Sequence, residues 1–185
     1  AAETYFSYRP PPNHHVHVKH ARMFLRSTER QYDIIWLDVF ARHLIPFHLT
    51  TEEFFKELRS HLRPHGVLAV NLASSGEGPD RQRAGAVVDT LHTVFPVIET
   101  FAVKGPWKTN PPEAANLIFF TGTRMPDMSA PEFRETLGAF IADGRLPPGV
   151  LSALAWRRAE VGSQGVVLSD DYAPYDLLIG REKSE

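Results

Sequence analysis

The sequence predicts an α/β fold built on a mostly parallel sheet. Its apolar pattern switches repeatedly between the two-residue period of strands and the spacing of an amphipathic helix. Nearly continuous apolar runs lie at 32–40 and 67–72, as is typical of strands buried on both faces of a sheet. Because strands and helical segments alternate along the chain, we expect helices on both faces of that sheet.

The individual elements follow from local signals. Residues 15–18 alternate as a short strand, and 21–30 has the pattern of a short helix. Thr50 or Thr51 is expected to cap a helix, since acidic residues and helically spaced apolar residues follow it. We also expect a helix at about 80–95, strands at 97–103 and 116–121 that pair as an antiparallel hairpin at one edge, a helix at about 131–143 and a helical stretch ending near 160.

Composition favours one domain spanning residues 1–185. The 43% hydrophobic content suits a single core, and a formal net charge of -2 with scattered basic residues argues against nucleic acid or an anionic membrane as partner. No apolar run approaches the ~20 residues of a membrane span. The absence of Cys excludes disulfides, thiolate metal sites and a Cys nucleophile. It leaves the compartment open, and the cytoplasm is our expectation.

Two stretches resemble one known family. The run YDIIWLDVFARHLIPFHLTTEEFFKELRSHLRPHGVLAVNL resembles the core of bacterial spermidine synthase-like proteins, in which a strand ends in Asp and His-Leu-x-Thr opens the next helix. The later LSDDYAPYDLL resembles the closing motif of the same family, and HARMFLRS stands at its Asp-Ala-Arg element. The resemblance spans roughly residues 14 to 178. It implies a Rossmann-like domain of the class I methyltransferase type.

The resemblance also implies a chemistry, namely transfer of the aminopropyl group of decarboxylated S-adenosylmethionine to an amine such as putrescine. A protonated amine is no nucleophile, so the reaction needs a base. Asp38 follows the predicted central strand, where open α/β sheets bind ligands, and it matches the family's catalytic acidic position. The implied substrate-binding residues are His48, Asp170, Asp171 and Tyr172, and the implied cofactor-binding residues are His20 and Ala21.

The sequence departs from the family in three places. Upstream of His15 no strand leads into a Gly-rich turn, so we expect the first strands and the nucleotide-binding loop to be missing and no cofactor to bind tightly. His20 stands where the family has Asp, and Ala41 and His43 stand where relatives carry a second Asp. The chain is therefore interpreted as an impaired aminopropyltransferase module or as a degenerate pseudoenzyme serving as a subunit of an assembly. A methyltransferase would leave SDDYAP unexplained.

A missing first strand would leave unpaired backbone groups beside the strand that ends at Asp38. Three remedies are open. A partner chain or a second copy completes the edge, residues 15–18 pair beside 34–37, or the chain is a fragment of a longer polypeptide. We expect a protein partner or a homodimer.

Several residues have a structural alternative to a functional role. Asp38 could cap a turn, and 170–172 could be a solvated turn. His48 could position its loop, Trp36 is expected in the core, and Trp107 and Lys108 could form a lid or a contact surface. His15 and His17 would share a strand face, but two His without further ligands make an incomplete site, so no metal is expected.

Overall fold

A computed structural model describes residues 2–41, 45–74, 80–104, 115–125, 127, 129–149 and 159–173. The chain divides into two compact units, Ala1–Arg30 and Gln31–Glu185. The predicted 149–160 helical stretch lies mostly outside the described residues, as do His43, Trp107 and Lys108. Among the helices that are described, none has the length and apolarity needed to cross a membrane.

The first unit contains two short helices, α1 (Ala2–Phe6) and α2 (Ala21–Arg26). Helix α2 ends earlier than predicted, because Ser27 already has non-helical backbone angles. Residues 15–18 are exposed and form no strand, so the predicted short strand is wrong. The His17 ring instead packs against Phe24 of α2, with 4.7 Å between centroids. Four alternating residues do not make a strand unless a neighbour pairs with their backbone.

The second unit is built on a sheet of four strands in the order β1–β2–β4–β3. Strands β1 (Tyr32–Leu37) and β2 (Leu62–Ala73) are parallel, whereas β4 (Ala115–Gly122) is antiparallel to both β2 and β3 (Val97–Lys104). The predicted α/β architecture and the antiparallel edge hairpin are confirmed. The sheet is mixed rather than mostly parallel, because one of its three pairings in the described part of the chain is parallel.

Three helices belong to this unit: α3 (Glu52–Ser60), α4 (Arg81–His92) and α5 (Pro131–Ala142). The predicted cap of α3 is confirmed, since the Thr51 side chain accepts the N–H of Phe54. Helix α3 packs on β2 and α4 on β3, and the two helices touch each other, so both cover the same face. Because α3 connects two parallel strands, it runs back across the sheet and begins at the sheet's carboxyl edge.

Strand β1 is the element whose environment differs most from its prediction. Ile34 is 67% exposed and Trp36 is 54% exposed, so burial on both faces and a core position for Trp36 are wrong. The Trp36 ring meets only the edge-on ring of Phe120, at 6.4 Å, among its described aromatic contacts. In the described chain β1 pairs with β2 alone and lies at the sheet's edge. An apolar run is buried only where a further layer covers it.

Candidate functional site

Two polar residues meet where the parallel strands end. Asp38 directly follows β1, and Asn71 lies near the end of β2, one row beyond the Leu37–Val70 pair. The Asn71 amide nitrogen Nδ2 donates a 2.9 Å hydrogen bond to Oδ1 of Asp38. The Asp38 side chain is exposed, so the pair is open to ligands at the edge where α/β sheets bind them.

Asn71 also carries an unsatisfied acceptor. Its oxygen Oδ1 is buried and has no hydrogen-bond partner among the described residues. A buried polar atom without a partner costs about 1–3 kcal/mol. Our sequence reasoning missed Asn71, although a lone polar residue in the apolar 67–72 run was the available signal. The exposed Asp38 carboxylate suits a ligand that donates hydrogen bonds, as a protonated amine does.

The second cluster joins the two sequence motifs at the first turn of α3. Thr51 donates a 2.7 Å hydrogen bond to Oδ1 of Asp170, and the backbone N–H of Asp170 donates to Oε2 of Glu53 at 2.9 Å. The N–H of Glu52 donates to the carbonyl of Leu168 at 2.8 Å. HLTTEEF thus holds SDDYAP, and both lie at the carboxyl edge where α3 begins.

A tight turn follows Asp170. The N–H of Ser169 donates to the carbonyl of Tyr172 at 2.8 Å, and the N–H of Tyr172 donates back to the Ser169 hydroxyl at 3.0 Å. This turn leaves Asp171 exposed and Tyr172 63% exposed. Asp170 is therefore fixed by side-chain contacts, whereas Asp171 and Tyr172 face solvent.

An ion pair lies in the first turn of α3. The Lys56 ammonium lies 3.2 Å from Oε2 of Glu52, and its hydrogen bond holds the pKa of Glu52 below the usual 4.5. Glu52 therefore stays ionised at neutral pH. With Glu53, Asp170 and Asp171 nearby in the fold or sequence, the start of α3 carries a concentration of carboxylates.

The remaining predicted residues occupy separate places. His48 lies half-buried in a 3₁₀ helix, Phe47–Leu49, between β1 and α3, with its ring edge-on to Phe47 at 5.6 Å. His20 precedes α2 without a side-chain capping bond, and Ala21 is the helix's first residue. His20 and Ala21 belong to the Ala1–Arg30 unit, and their nucleotide role stays a prediction. Across the described residues no group of three or more His, Asp or Glu is placed to hold a metal ion.

Comparisons with known proteins bear on this site. No family model matches the chain. The polyamine aminopropyltransferase of Vibrio vulnificus (strain CMCP6) is 29% identical over 182 residues, which cover 96% of this chain and 57% of that protein. A probable spermidine synthase from Corynebacterium glutamicum ATCC 13032 superposes with a TM-score of 0.50 at 25% identity, over 63% of this chain and 40% of that one. The chain is thus similar in sequence to a polyamine aminopropyltransferase and in structure to a probable spermidine synthase.

A third comparison concerns the fold. Human methyltransferase-like protein 13, solved with SAH, superposes with a TM-score of 0.60 at 22% identity, over 80% of this chain and 67% of the human one. The predicted Rossmann-like, methyltransferase-type fold is thereby confirmed. This chain spans 57% of the length of the Vibrio protein and 40% of the Corynebacterium chain.

Proposed function

We propose that this spermidine synthase-like chain is an aminopropyltransferase module that binds a diamine such as putrescine, with Asp38 as the base. The observation that carries the proposal is the Asp38–Asn71 pair, joined at 2.9 Å where the two parallel strands end. Its exposed carboxylate is an acceptor, and a protonated amine offers only donors. The relatives' names support the same reaction.

The reaction requires one proton transfer and one substitution. An ammonium has no free electron pair, so Asp38 takes its proton and leaves a neutral amine. The amine nitrogen then attacks the aminopropyl carbon bonded to the sulfonium of the cosubstrate. A C–N bond forms, the C–S bond breaks, and methylthioadenosine leaves with the electron pair on sulfur. The hydrogen bond from Asn71 occupies Oδ1 of Asp38, which leaves Oδ2 for the proton.

The surrounding charge suits a substrate with two positive ends. Glu53 and Asp170 meet at the start of α3, on the same edge of the sheet as Asp38. Negatively charged carboxylates that lie close together raise the local concentration of cations. We assign the second ammonium of the diamine to this region, with Asp171, Tyr172 and His48 as further contacts.

The cosubstrate proposal is decarboxylated S-adenosylmethionine. Support comes from the aminopropyltransferase relative and from the human protein of like fold that was solved with SAH. His20 and Ala21 are the proposed contacts in this chain. Because His20 stands where the family has Asp, weak cosubstrate binding and reduced activity are part of the proposal.

A second candidate is a degenerate pseudoenzyme that acts as a binding or structural subunit. The observation that favours it is β1, an edge strand on which Ile34 and Trp36 are more than half exposed. Exposed apolar edge strands pair readily with other chains. For either function we infer that a second copy of this chain pairs with β1.

Calorimetric titration of the purified chain with decarboxylated S-adenosylmethionine, methylthioadenosine and putrescine separates the two functions. Binding at millimolar concentration or tighter, with spermidine detected by mass spectrometry, is expected for the transferase. Asp38→Asn should lower the rate by about 100-fold or more, since general bases contribute 10²–10⁴. Asp33→Asn is the matched control, because Asp33 is an exposed β1 carboxylate paired with Arg63, and it should change the rate less than about twofold. Absence of binding by all three ligands to folded protein would refute the transferase.

A further inference from the structure

The 159–173 segment carries Asp170. It contacts α4 first, through residues 164–168, and then the start of α3. Oδ2 of Asp89 accepts the backbone N–H groups of Gln164 at 2.8 Å and of Val166 at 3.2 Å. The neighbouring Thr90 hydroxyl accepts the N–H of Leu168 at 2.9 Å. Backbone N–H groups at positions 164, 166 and 168 are thus bound in succession by two adjacent side chains of one helix.

The contact surface of α4 is shaped for this segment. Gly85 lies one helical turn before Asp89, and a Cβ at Gly85 would stand 2.6 Å from the carbonyl oxygen of Gly162 and 2.5 Å from Cγ of Gln164. Glycine inside a helix costs roughly 0.5–1 kcal/mol relative to Ala. Its place here is explained by the close approach of the segment's backbone. The absence of a side chain at Gly85 therefore lets the backbone of the segment approach α4, and Asp89 binds two of its N–H groups.

The bonds at Asp89 determine which residue arrives at α3. Leu168 is fully buried, and its carbonyl accepts the N–H of Glu52. Two residues further, Asp170 meets Thr51 at 2.7 Å. An extended chain advances about 3.3–3.6 Å per residue, so a shift of one position would carry Asp170 beyond hydrogen-bond distance of Thr51. The register on α4 therefore decides whether the Asp170–Thr51 contact exists.

We infer that Asp89 is a positioning residue for the amine site. By accepting the N–H groups of Gln164 and Val166, it fixes the register of the 159–173 segment and with it the location of Asp170. The structural part stands on the hydrogen bonds alone, and the kinetic part rests on the proposed diamine-binding function. A carboxylate is suited to this task, because charge-assisted hydrogen bonds are roughly twice as strong as neutral ones.

The test compares Asp89→Leu with Asp89→Asn in the full chain. Asparagine keeps an oxygen that can accept both N–H groups, whereas leucine has similar size and no acceptor. Hydrogen exchange at Gln164, Val166 and Asp170 should accelerate on the order of 10- to 100-fold in Asp89→Leu and about threefold or less in Asp89→Asn. Exchange at Phe119 in β4 reports global unfolding and should stay slower than exchange at these three positions in both variants.

The kinetic readout uses putrescine and decarboxylated S-adenosylmethionine. In Asp89→Leu the KM for putrescine should rise about tenfold, while kcat and the KM for the nucleoside cosubstrate stay within about twofold, and Asp89→Asn should behave as wild type. If wild-type protein binds no putrescine, the proposed function fails, and the exchange data still decide the structural part. Unchanged exchange at Asp170 in Asp89→Leu, or equal KM increases in both variants, would overturn the inference. If Asp89→Leu does not fold, Gly85→Ala is used in its place, because the added Cβ displaces the segment sterically.

Discussion

The Thr51 hydroxyl donates a 2.7 Å hydrogen bond to the carboxylate of Asp170, 119 positions away in sequence. The same oxygen accepts the N–H of Phe54 and so caps α3. One side chain therefore begins the helix and holds the second motif against it. Local helix formation and the assembly of the site are coupled through this single group.

Two substitutions of Thr51 distinguish the effect of its two hydrogen bonds from the effect of its side-chain shape. Thr51→Val keeps the branched side chain and removes both hydrogen bonds of the hydroxyl, so the free energy of unfolding should fall by about 1–3 kcal/mol. Thr51→Ser retains the hydroxyl and should lose less than about 1 kcal/mol. Urea denaturation measures both values. Equal losses in the two variants would show that the methyl group contributes as much as the hydroxyl, against the role assigned to the hydrogen bonds.

Asn71 should show an opposition between stability and binding. Asn71→Leu removes the buried orphan oxygen, so the free energy of unfolding should rise by about 1 kcal/mol. The same change removes the hydrogen-bond donor that holds Oδ1 of Asp38, so putrescine binding should weaken about tenfold. Thermal unfolding and calorimetry measure the two effects on one preparation. A stability loss without any change in putrescine binding would contradict the assigned role.

Local signals in the sequence predict much of the architecture. Thr51, the α3 helix and the β3–β4 hairpin follow from caps, spacing and alternation, which neighbouring residues determine. The exposure of Trp36 could not be predicted, because the same apolar run suits both a central strand and an edge strand that no further layer covers. Contacts such as Asp89 with Gln164 join positions 75 apart, and no local pattern specifies them. The role of Asn71 depends on its hydrogen bond to Asp38, which follows the neighbouring strand.

The Glu52–Lys56 pair predicts a defined pH dependence. The pKa of Glu52 is below 4.5 in the folded chain, so its stabilising contribution is complete above pH 4.5 and disappears as the pH falls through the folded pKa. Glu52→Gln should therefore lower the free energy of unfolding by a few tenths of a kcal/mol at pH 7, since exposed pairs contribute little. The wild-type and variant curves should converge under acid conditions. A difference that persists or grows below pH 4.5 would exclude the carboxylate as its source.

Gly85→Ala should destabilise the protein although it improves the helix. Alanine gains roughly 0.5–1 kcal/mol of helix propensity over glycine. The new Cβ would lie 2.6 Å from the carbonyl oxygen of Gly162, a backbone atom, so the segment must move off α4. We expect a net loss of about 1–2 kcal/mol, in the usual range for overpacking. Gly138→Ala on α5 is the control, because nothing lies within 4 Å of its added Cβ, and it should stabilise.

The exposed edge strand β1 predicts self-association. Ile34 and Trp36 lie on the same face, since alternate residues of a strand do, and in the described chain β1 leaves one edge without a strand. Two copies that pair through β1 would satisfy these backbone groups and place their Ile34 and Trp36 side chains beside one another in a closed, two-fold arrangement.

Sedimentation velocity over about a hundredfold range of concentration should therefore show a dimer that dissociates on dilution. Ile34→Lys should shift dissociation to at least about tenfold higher concentration, because a charge replaces apolar surface in the interface. Val167→Lys is the matched control, since Val167 is exposed at 41% but lies outside the sheet, and it should leave association unchanged. A chain that stays monomeric throughout, or two variants that dissociate alike, would contradict pairing through β1.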